Sequence, residues 1–266
     1  MLVNLHTHTI FCDGKDTPEE MVLSAIESGF STLGFSGHAY TDFDTSYCIK
    51  DMDGYVRTIT ALKEKYKNKI EILLGVEEDA FCPCDRKMFD YIIGSCHYIK
   101  IDNKYYPVDS SHKELKEPLK LLGDNATEFA KKYYLDFCEY LKRRKPDIIG
   151  HFDLITKYDE KQEPVFLGNP EYEKISEHYI KIAAKTECVF EVNTGAIARG
   201  YRSMPYPSDN LLYTLKKENA KIMLSSDCHD KNKLNWHFAQ TKQKLKDIGF
   251  EKIMTIKNGK FVEEKI

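Results

Sequence analysis

The chain has no apolar run approaching the roughly 20 residues of a membrane helix, and no basic amino-terminal segment leading into an apolar stretch of signal length. A cytoplasmic location is the expectation. A basic excess is also missing: 39 Lys and Arg stand against 42 Asp and Glu, a formal charge of −3. That balance gives no sign of a nucleic-acid partner. The one basic run, Lys142-Arg143-Arg144-Lys145, sits at the end of an expected helix, where cations complement the helix dipole. No Gly-rich phosphate loop and no nucleophile elbow occur, so neither a P-loop nor a serine nucleophile is indicated. The eight cysteines lack zinc-site spacing: Cys82-Pro83-Cys84 has no second pair to complete it. Scattered through a core-rich chain, they read as reduced thiols.

What is present is an ordinary globular composition, 42% hydrophobic and 30% charged, in 266 residues. That length suits one domain over 1–266, since a barrel of alternating strands and helices needs about 250 residues. The segment 3–9 reads as a strand carrying His6 and His8 near its end. Side chains at i and i+2 point the same way, so this pair either chelates one metal or sits solvated at the surface. Thr17-Pro18-Glu19-Glu20 announces a helix that Gly29 ends. Further strands are expected at 32–38, ending in His38, at 70–78, ending in Glu77 and Glu78, and at 90–97, ending in His97. Others follow at 148–153, 189–195 and 222–229, the last carrying Asp227 and His229. Helices are expected at 55–66, 126–144, 172–186 and 209–218, and a hairpin with a primed Asn258-Gly259 turn near the carboxyl end. The mixed polar segment 100–124 reads as a long loop or short insertion near the site.

Seven strand–helix units imply parallel strands, with polar strand ends gathered on one face. Six of the nine histidines stand at such ends. Taken singly, each is as well explained as a satisfied rim histidine. Together they point to a metal site. Cys12, Cys96 and Cys228 lie beside candidate ligands, as supporting residues or as simple packing.

His6-Thr7-His8, Asp13, Gly37-His38, Gly75-Val76-Glu77, Gly94-Ser95-Cys96-His97, Gly150-His151 and Ser226-Asp227-Cys228-His229 resemble, in order and over nearly the whole chain, the motif set of the polymerase and histidinol phosphatase (PHP) family. The resemblance implies an α/β fold, a distorted (β/α)7 barrel with a trinuclear metal site at the carboxyl ends of its strands. By motif, His6, His8, Glu77 and Asp227 hold one ion. Glu77 bridges to a second held by His97 and His151, and Asp13, His38 and His229 hold the third. Glu78 is the alternative bridge. Glu77, Asp227 and His229 are the residues expected nearest the chemistry.

Imidazole and carboxylate ligands suit zinc, iron or manganese. Three divalent ions outweigh three ligand carboxylates, so the centre attracts a phosphate dianion and activates water for in-line attack. Past the sixth strand, Arg199 and Arg202 are candidates to grip that phosphate bidentately. Gly37-His38-Ala39-Tyr40, Gly94-Ser95-Cys96-His97-Tyr98-Ile99 and Val108-Asp109-Ser110 resemble the histidinol-phosphatase branch. The activity implied is hydrolysis of L-histidinol phosphate to L-histidinol and phosphate, a step of histidine biosynthesis on a small-molecule substrate. Nucleotides, nucleic-acid ends or phosphotyrosine are the alternative substrates, and a metal-stabilised binding domain is the non-catalytic alternative. Asp42, Asp44 and Glu78 are candidate partners for a substrate amine.

Overall fold

Thr17 opens the first helix by a capping box. Its hydroxyl accepts the Glu20 N–H, the Glu20 carboxylate accepts the Thr17 N–H, and Pro18 fills the first helical position. The computed structural model describes residues 1–266. In chain order the elements are β1 (Val3–Asn4), α1 (Pro18–Glu27), β2 (Thr32–Phe35), α2 (Met52–Tyr66), β3 (Glu71–Asp79), β4 (Tyr91–Ser95), β5 (Tyr98–Ile101), β6 (Lys104–Pro107), α3 (His112–Leu121) and α4 (Ala126–Arg144). They continue with β7 (Ile148–Ile149), α5 (Pro170–Ala184), β8 (Val189–Asn193), α6 (Gly195–Ala198), α7 (Asp209–Lys217), β9 (Ile222–Ser225), α8 (Phe238–Ile248), β10 (Lys252–Lys257) and β11 (Lys260–Lys265).

Seven strands form one parallel sheet in the order β1-β2-β3-β4-β7-β8-β9. Its two edges meet beyond the strand ends: His8 N–H donates to Cys228 O at 2.8 Å and Cys228 N–H to His6 O at 2.9 Å. The sheet is therefore a nearly closed barrel, with helices outside it. The main apolar core lies between sheet and helices, where Phe190 and Val192 of β8 and Ile222 and Leu224 of β9 meet helical residues such as Leu212 and Leu215.

Two segments go beyond the sequence expectation. Residues 100–124 take the second of the two forms expected of them, a short folded insertion, rather than a long loop. Asp102 and Asn103 both take positive φ and turn β5 back on β6 as an antiparallel hairpin, and Ser111 then caps α3. The segment 238–248, given no structure by the sequence reading, is helix α8, which buries Phe238, Thr241 and Leu245 and ends at Gly249 with φ 102°. The carboxyl-terminal hairpin has the expected primed turn, with Asn258 and Gly259 both at positive φ.

Inside the barrel a second apolar cluster fills the end away from the histidines. It contains Val3, Leu5, Leu73, Tyr91, Ile93, Ile148, Val189 and Met223, with Ile256 of β10 as the plug. Tyr91 fixes this layer, since its hydroxyl donates to Leu5 O at 2.5 Å and lies 3.2 Å from Phe35 O. Gly75 and Gly34 make room for it. A Cβ on Gly75 would stand 2.2 Å from the Tyr91 ring, and one on Gly34 2.3 Å from its hydroxyl. Gly75→Ala is thus expected to destabilise the protein by about 3 kcal/mol, the upper end for overpacking against a rigid neighbour. Chemical denaturation would check this, and an unchanged midpoint would show that Tyr91 is free to move.

Candidate metal centre

The His-x-His segment is not the plain strand that its alternation predicts. The β1 ladder stops at Asn4, whose side-chain oxygen accepts the His6 N–H at 3.1 Å, and pairing resumes only at Thr7 opposite Cys228. This break lets neighbours share one face: Leu5 joins the interior apolar layer, and His6 also faces inward. His6 and His8 still converge, with ring centroids 5.1 Å apart.

Glu77 is the hub. Its Oε2 lies 3.0 Å from His38 Nδ1, 3.2 Å from His6 Nε2 and 3.5 Å from His8 Nε2. Its Oε1 lies 3.0 Å from His151 Nε2 and 3.3 Å from His97 Nε2, and accepts the Ser95 hydroxyl at 2.6 Å. Asp227 Oδ1 approaches His8 Nε2 at 3.3 Å and His6 Nε2 at 3.7 Å. Asp13 spans His8, His38 and His229 at 3.5, 3.6 and 3.2 Å. All nine candidate donors are thereby brought together. Asp227 takes the left-handed conformation, φ 46°, which Asp tolerates better than most residues.

Strand alternation separates the two adjacent acids. Glu78 points outward, accepting from Tyr140 hydroxyl, from Arg144 Nε and Nη2, and from Cys84 N–H. Glu78 therefore cannot be the bridge, because its oxygens are engaged outside the barrel. Arg144, read from sequence only as a dipole partner, is its counter-ion.

Burial and charge disturb these groups in opposite senses. Burial pushes the Glu77 and Asp227 carboxyls up, but the neighbouring cations outweigh it and hold both well below the usual range. Burial together with His229 and His38 pushes His8 down to about 3, whereas Glu77 and Asp13 lift His38 against burial to about 9. So many basic and acidic atoms within van der Waals reach lack a hydrogen-bonding solution. Buried His6 Nε2, His8 Nε2 and Glu77 Oε2 have no hydrogen-bond partner. The donors fall into four overlapping groups, such as His6, His8 and Asp227, within which one ligand atom each lies inside 4.8 Å of the others. This N/O donor set fits divalent metal ions.

Further residues surround the centre that the sequence reading did not single out. Glu191 Oε1 lies 2.5 Å from His6 Nδ1, and Asp79 Oδ2 accepts the His97 N–H at 2.9 Å. Their signal was an acid at an inward strand position, where burial demands a partner. Arg199 donates to Asp227 Oδ2 at 2.7 Å and lines the metal pocket with Lys157 and Tyr201. Arg202 does not reach the pocket. It is buried, donating to Thr156 and Ser208 at 2.8 Å each, facing Asp153 and stacking on Tyr206, so its role as a phosphate ligand is corrected to a structural one. Cys96 and Cys228 donate to backbone carbonyls, and Cys12 Sγ lies 3.5 Å from His8 Nδ1.

Beside the centre opens a cleft of about 380 Å³, lined by Asp44, Tyr47, Tyr98, Asp109, Glu114 and Lys157 as well as His38 and His97. Its outer wall joins the loop after β2 to the β5–β6 hairpin: Phe43 stacks on Tyr105 with centroids 3.9 Å apart, and Tyr98 donates to Asp44 at 2.7 Å. Of the three acids considered for an amine, Asp44 alone lines this cleft.

The separation of Glu77 from Glu78 is open to direct test. Glu77→Gln is expected to lose bound metal, measured by elemental analysis after gel filtration, with folding retained. Arg144→Ala should keep its metal but lose about 3 kcal/mol, because it strands a buried carboxylate. Loss of metal in Glu78→Gln would contradict the assignment.

The comparisons agree with this geometry. The family model for the PHP domain matches residues 4–195. A probable histidinol-phosphatase of Schizosaccharomyces pombe is 26% identical, over 97% of this chain and 90% of its own. The histidinol-phosphatase of Bacillus subtilis is 23% identical, over 84% and 92%. Among solved structures, the histidinol phosphate phosphatase of Lactococcus lactis, complexed with zinc, L-histidinol and phosphate, superposes with a TM-score of 0.74 at 22% identity, covering 98% of both chains. With its barrel, its convergent donors and a family match that spans most of its length, the chain belongs to the PHP domain family.

Proposed function

We propose that this protein is a metal-dependent phosphomonoesterase that hydrolyses L-histidinol phosphate to L-histidinol and phosphate, in histidine biosynthesis. The observation that carries the reading is the juxtaposition of the nine-donor centre with an adjoining acidic cleft. One part suits a phosphate, the other a cationic amino-imidazole. The relatives named for this activity support it along nearly their whole length.

We assign three divalent ions of the zinc, iron or manganese type: one to His6, His8, Glu77 and Asp227, a second to Glu77, His97 and His151, and a third to Asp13, His38 and His229. When bound, such ions polarise phosphoryl oxygens, acidify water and stabilise the leaving oxygen. The chain's own residues do the rest. Arg199 and Lys157 are the lysine and arginine side chains lining the metal pocket, and they orient the phosphate. Asp44, held by the Tyr98 hydroxyl, faces the substrate's cation from the cleft wall. Asp109 accepts from Lys157 Nζ through its carbonyl at 2.6 Å and its carboxylate at 3.2 Å, which fixes the lysine at the boundary between pocket and cleft. Eight free thiols suit a reducing, cytoplasmic setting.

The deciding experiment is phosphate release by manganese- or zinc-loaded protein from L-histidinol phosphate beside a panel of other phosphomonoesters. A preference of about a hundredfold in kcat/KM, roughly 2.7 kcal/mol of transition-state discrimination, is expected. Comparable rates across the panel would reject the substrate assignment. Arg199→Ala should lower kcat/KM roughly 10- to 150-fold, as for loss of a charge-assisted contact of about 1.5–3 kcal/mol. Arg202→Ala should instead appear as a lower melting temperature, because it leaves buried Asp153 unpaired. Equal kinetic effects in the two variants would refute the division of roles.

A further inference from the structure

Glu191 lies at the middle of β8, completely enclosed, and belongs to none of the donor groups around Glu77. Four groups converge on its carboxylate. Oε2 accepts the backbone N–H of His151 at 2.9 Å and the Asn193 side-chain amide at 2.9 Å. Oε1 takes the Ser225 hydroxyl and lies 2.5 Å from His6 Nδ1. The polarity of this ring is decided by its unambiguous members. A backbone N–H only donates, and the Asn193 amide is oriented because its own oxygen accepts the Gly195 N–H at 2.7 Å. Oε2 is thus saturated by donors and carries no proton.

A carboxylate enclosed by four hydrogen-bonding groups is satisfied as the anion; Oε1 then accepts too, from the Ser225 hydroxyl and from His6, and the hydrogen between Oε1 and His6 belongs to Nδ1. The other ring nitrogen, Nε2, is left with its lone pair directed at Glu77 and Asp227. We infer that Glu191 is a positioning residue that fixes His6 in the Nδ1–H tautomer and ties it to His151, so that one buried carboxylate would align a ligand of each of the two ions assigned to Glu77. The inference rests on the reading of His6 as a metal ligand. Carboxylates that hold a ligating imidazole in this way raise its basicity and fix its orientation. Here the effect reaches further, because the second oxygen holds the main chain of another ligand. Glutamine does not reproduce it: an NH2 on the Oε2 side opposes the His151 N–H and the Asn193 amide, and an NH2 on the Oε1 side makes His6 Nδ1 an acceptor and so imposes the other tautomer.

The test uses the full chain loaded with zinc. In nitrogen-resolved histidine spectra of the wild-type protein, the resonance absent from His6→Ala should report a proton on Nδ1. A proton on Nε2 overturns the inference, and this arm needs no variant at Glu191 to fold. In Glu191→Gln, chelator competition should show zinc binding weakened about 10- to 100-fold for the ions sharing His6 and His151. The ion among Asp13, His38 and His229 should be retained. A purely structural role would reduce all three together or none, and unaltered zinc affinity in a folded Glu191→Gln protein overturns the proposal. Unchanged zinc content in His6→Ala would instead reject His6 as a ligand, which is a failure of the reading beneath the inference.

Discussion

The structure depends on one buried carboxylate, Glu77, that five imidazoles approach within 3.5 Å at the rim of the barrel. Hydrogen bonds leave that assembly incomplete, since buried His6 Nε2, His8 Nε2 and Glu77 Oε2 have no partner. Cations resolve it. The barrel is the scaffold that tolerates such frustration, because parallel strands bring their carboxyl ends to one rim while the opposite end is packed with apolar side chains. The Tyr91 layer, with its carbonyl hydrogen bonds and the glycines that admit its ring, holds that opposite end rigid.

Around the hub the charges are arranged in depth. Glu191 and Asp79 stand behind histidines, Arg199 stands beside Asp227, and Glu78 is paired with Arg144 on the outer face of the same strand. Buried ions in proteins are costly unless paired, and here each has a partner of opposite sign or a set of donors. The consequence for function is geometric: Glu77 stands on β3 and the other candidate donors in the segments just past strand ends, where packing and hydrogen bonds hold them. The cleft, by contrast, is bounded by the loop after β2 and by the β5–β6 hairpin, joined through aromatic stacking.

Much of this was legible in the linear chain. Every candidate ligand closes or follows an apolar run, so the parallel alternation of strands and helices implied that they meet at one rim. The Thr17 capping box and the Asn258-Gly259 turn are local and were readable for that reason. Less legible were β5 and β6, four-residue strands in a polar segment, α3, whose interior Pro118 argues against a helix despite its apolar face, and the short helix α8.

The sequence by itself indicated the barrel, because the alternation of apolar strands and helices is a local property, and through the family resemblance it nominated the nine candidate donors. Tertiary structure decided which of two neighbours does what. Glu77 or Glu78 is a question of strand parity at one residue, settled by the partners on each face. Arg199 or Arg202 depends on distant residues: Thr156, Asp153 and Ser208 capture Arg202, while Arg199 is left facing Asp227. The role of Glu191 likewise arises from groups that the fold gathers, Asn193 on its own strand with His151 past β7, Ser225 at the end of β9 and His6 just past β1. Pairings of that kind are selected by burial, which leaves an ionised side chain only the partners that the completed fold brings to it.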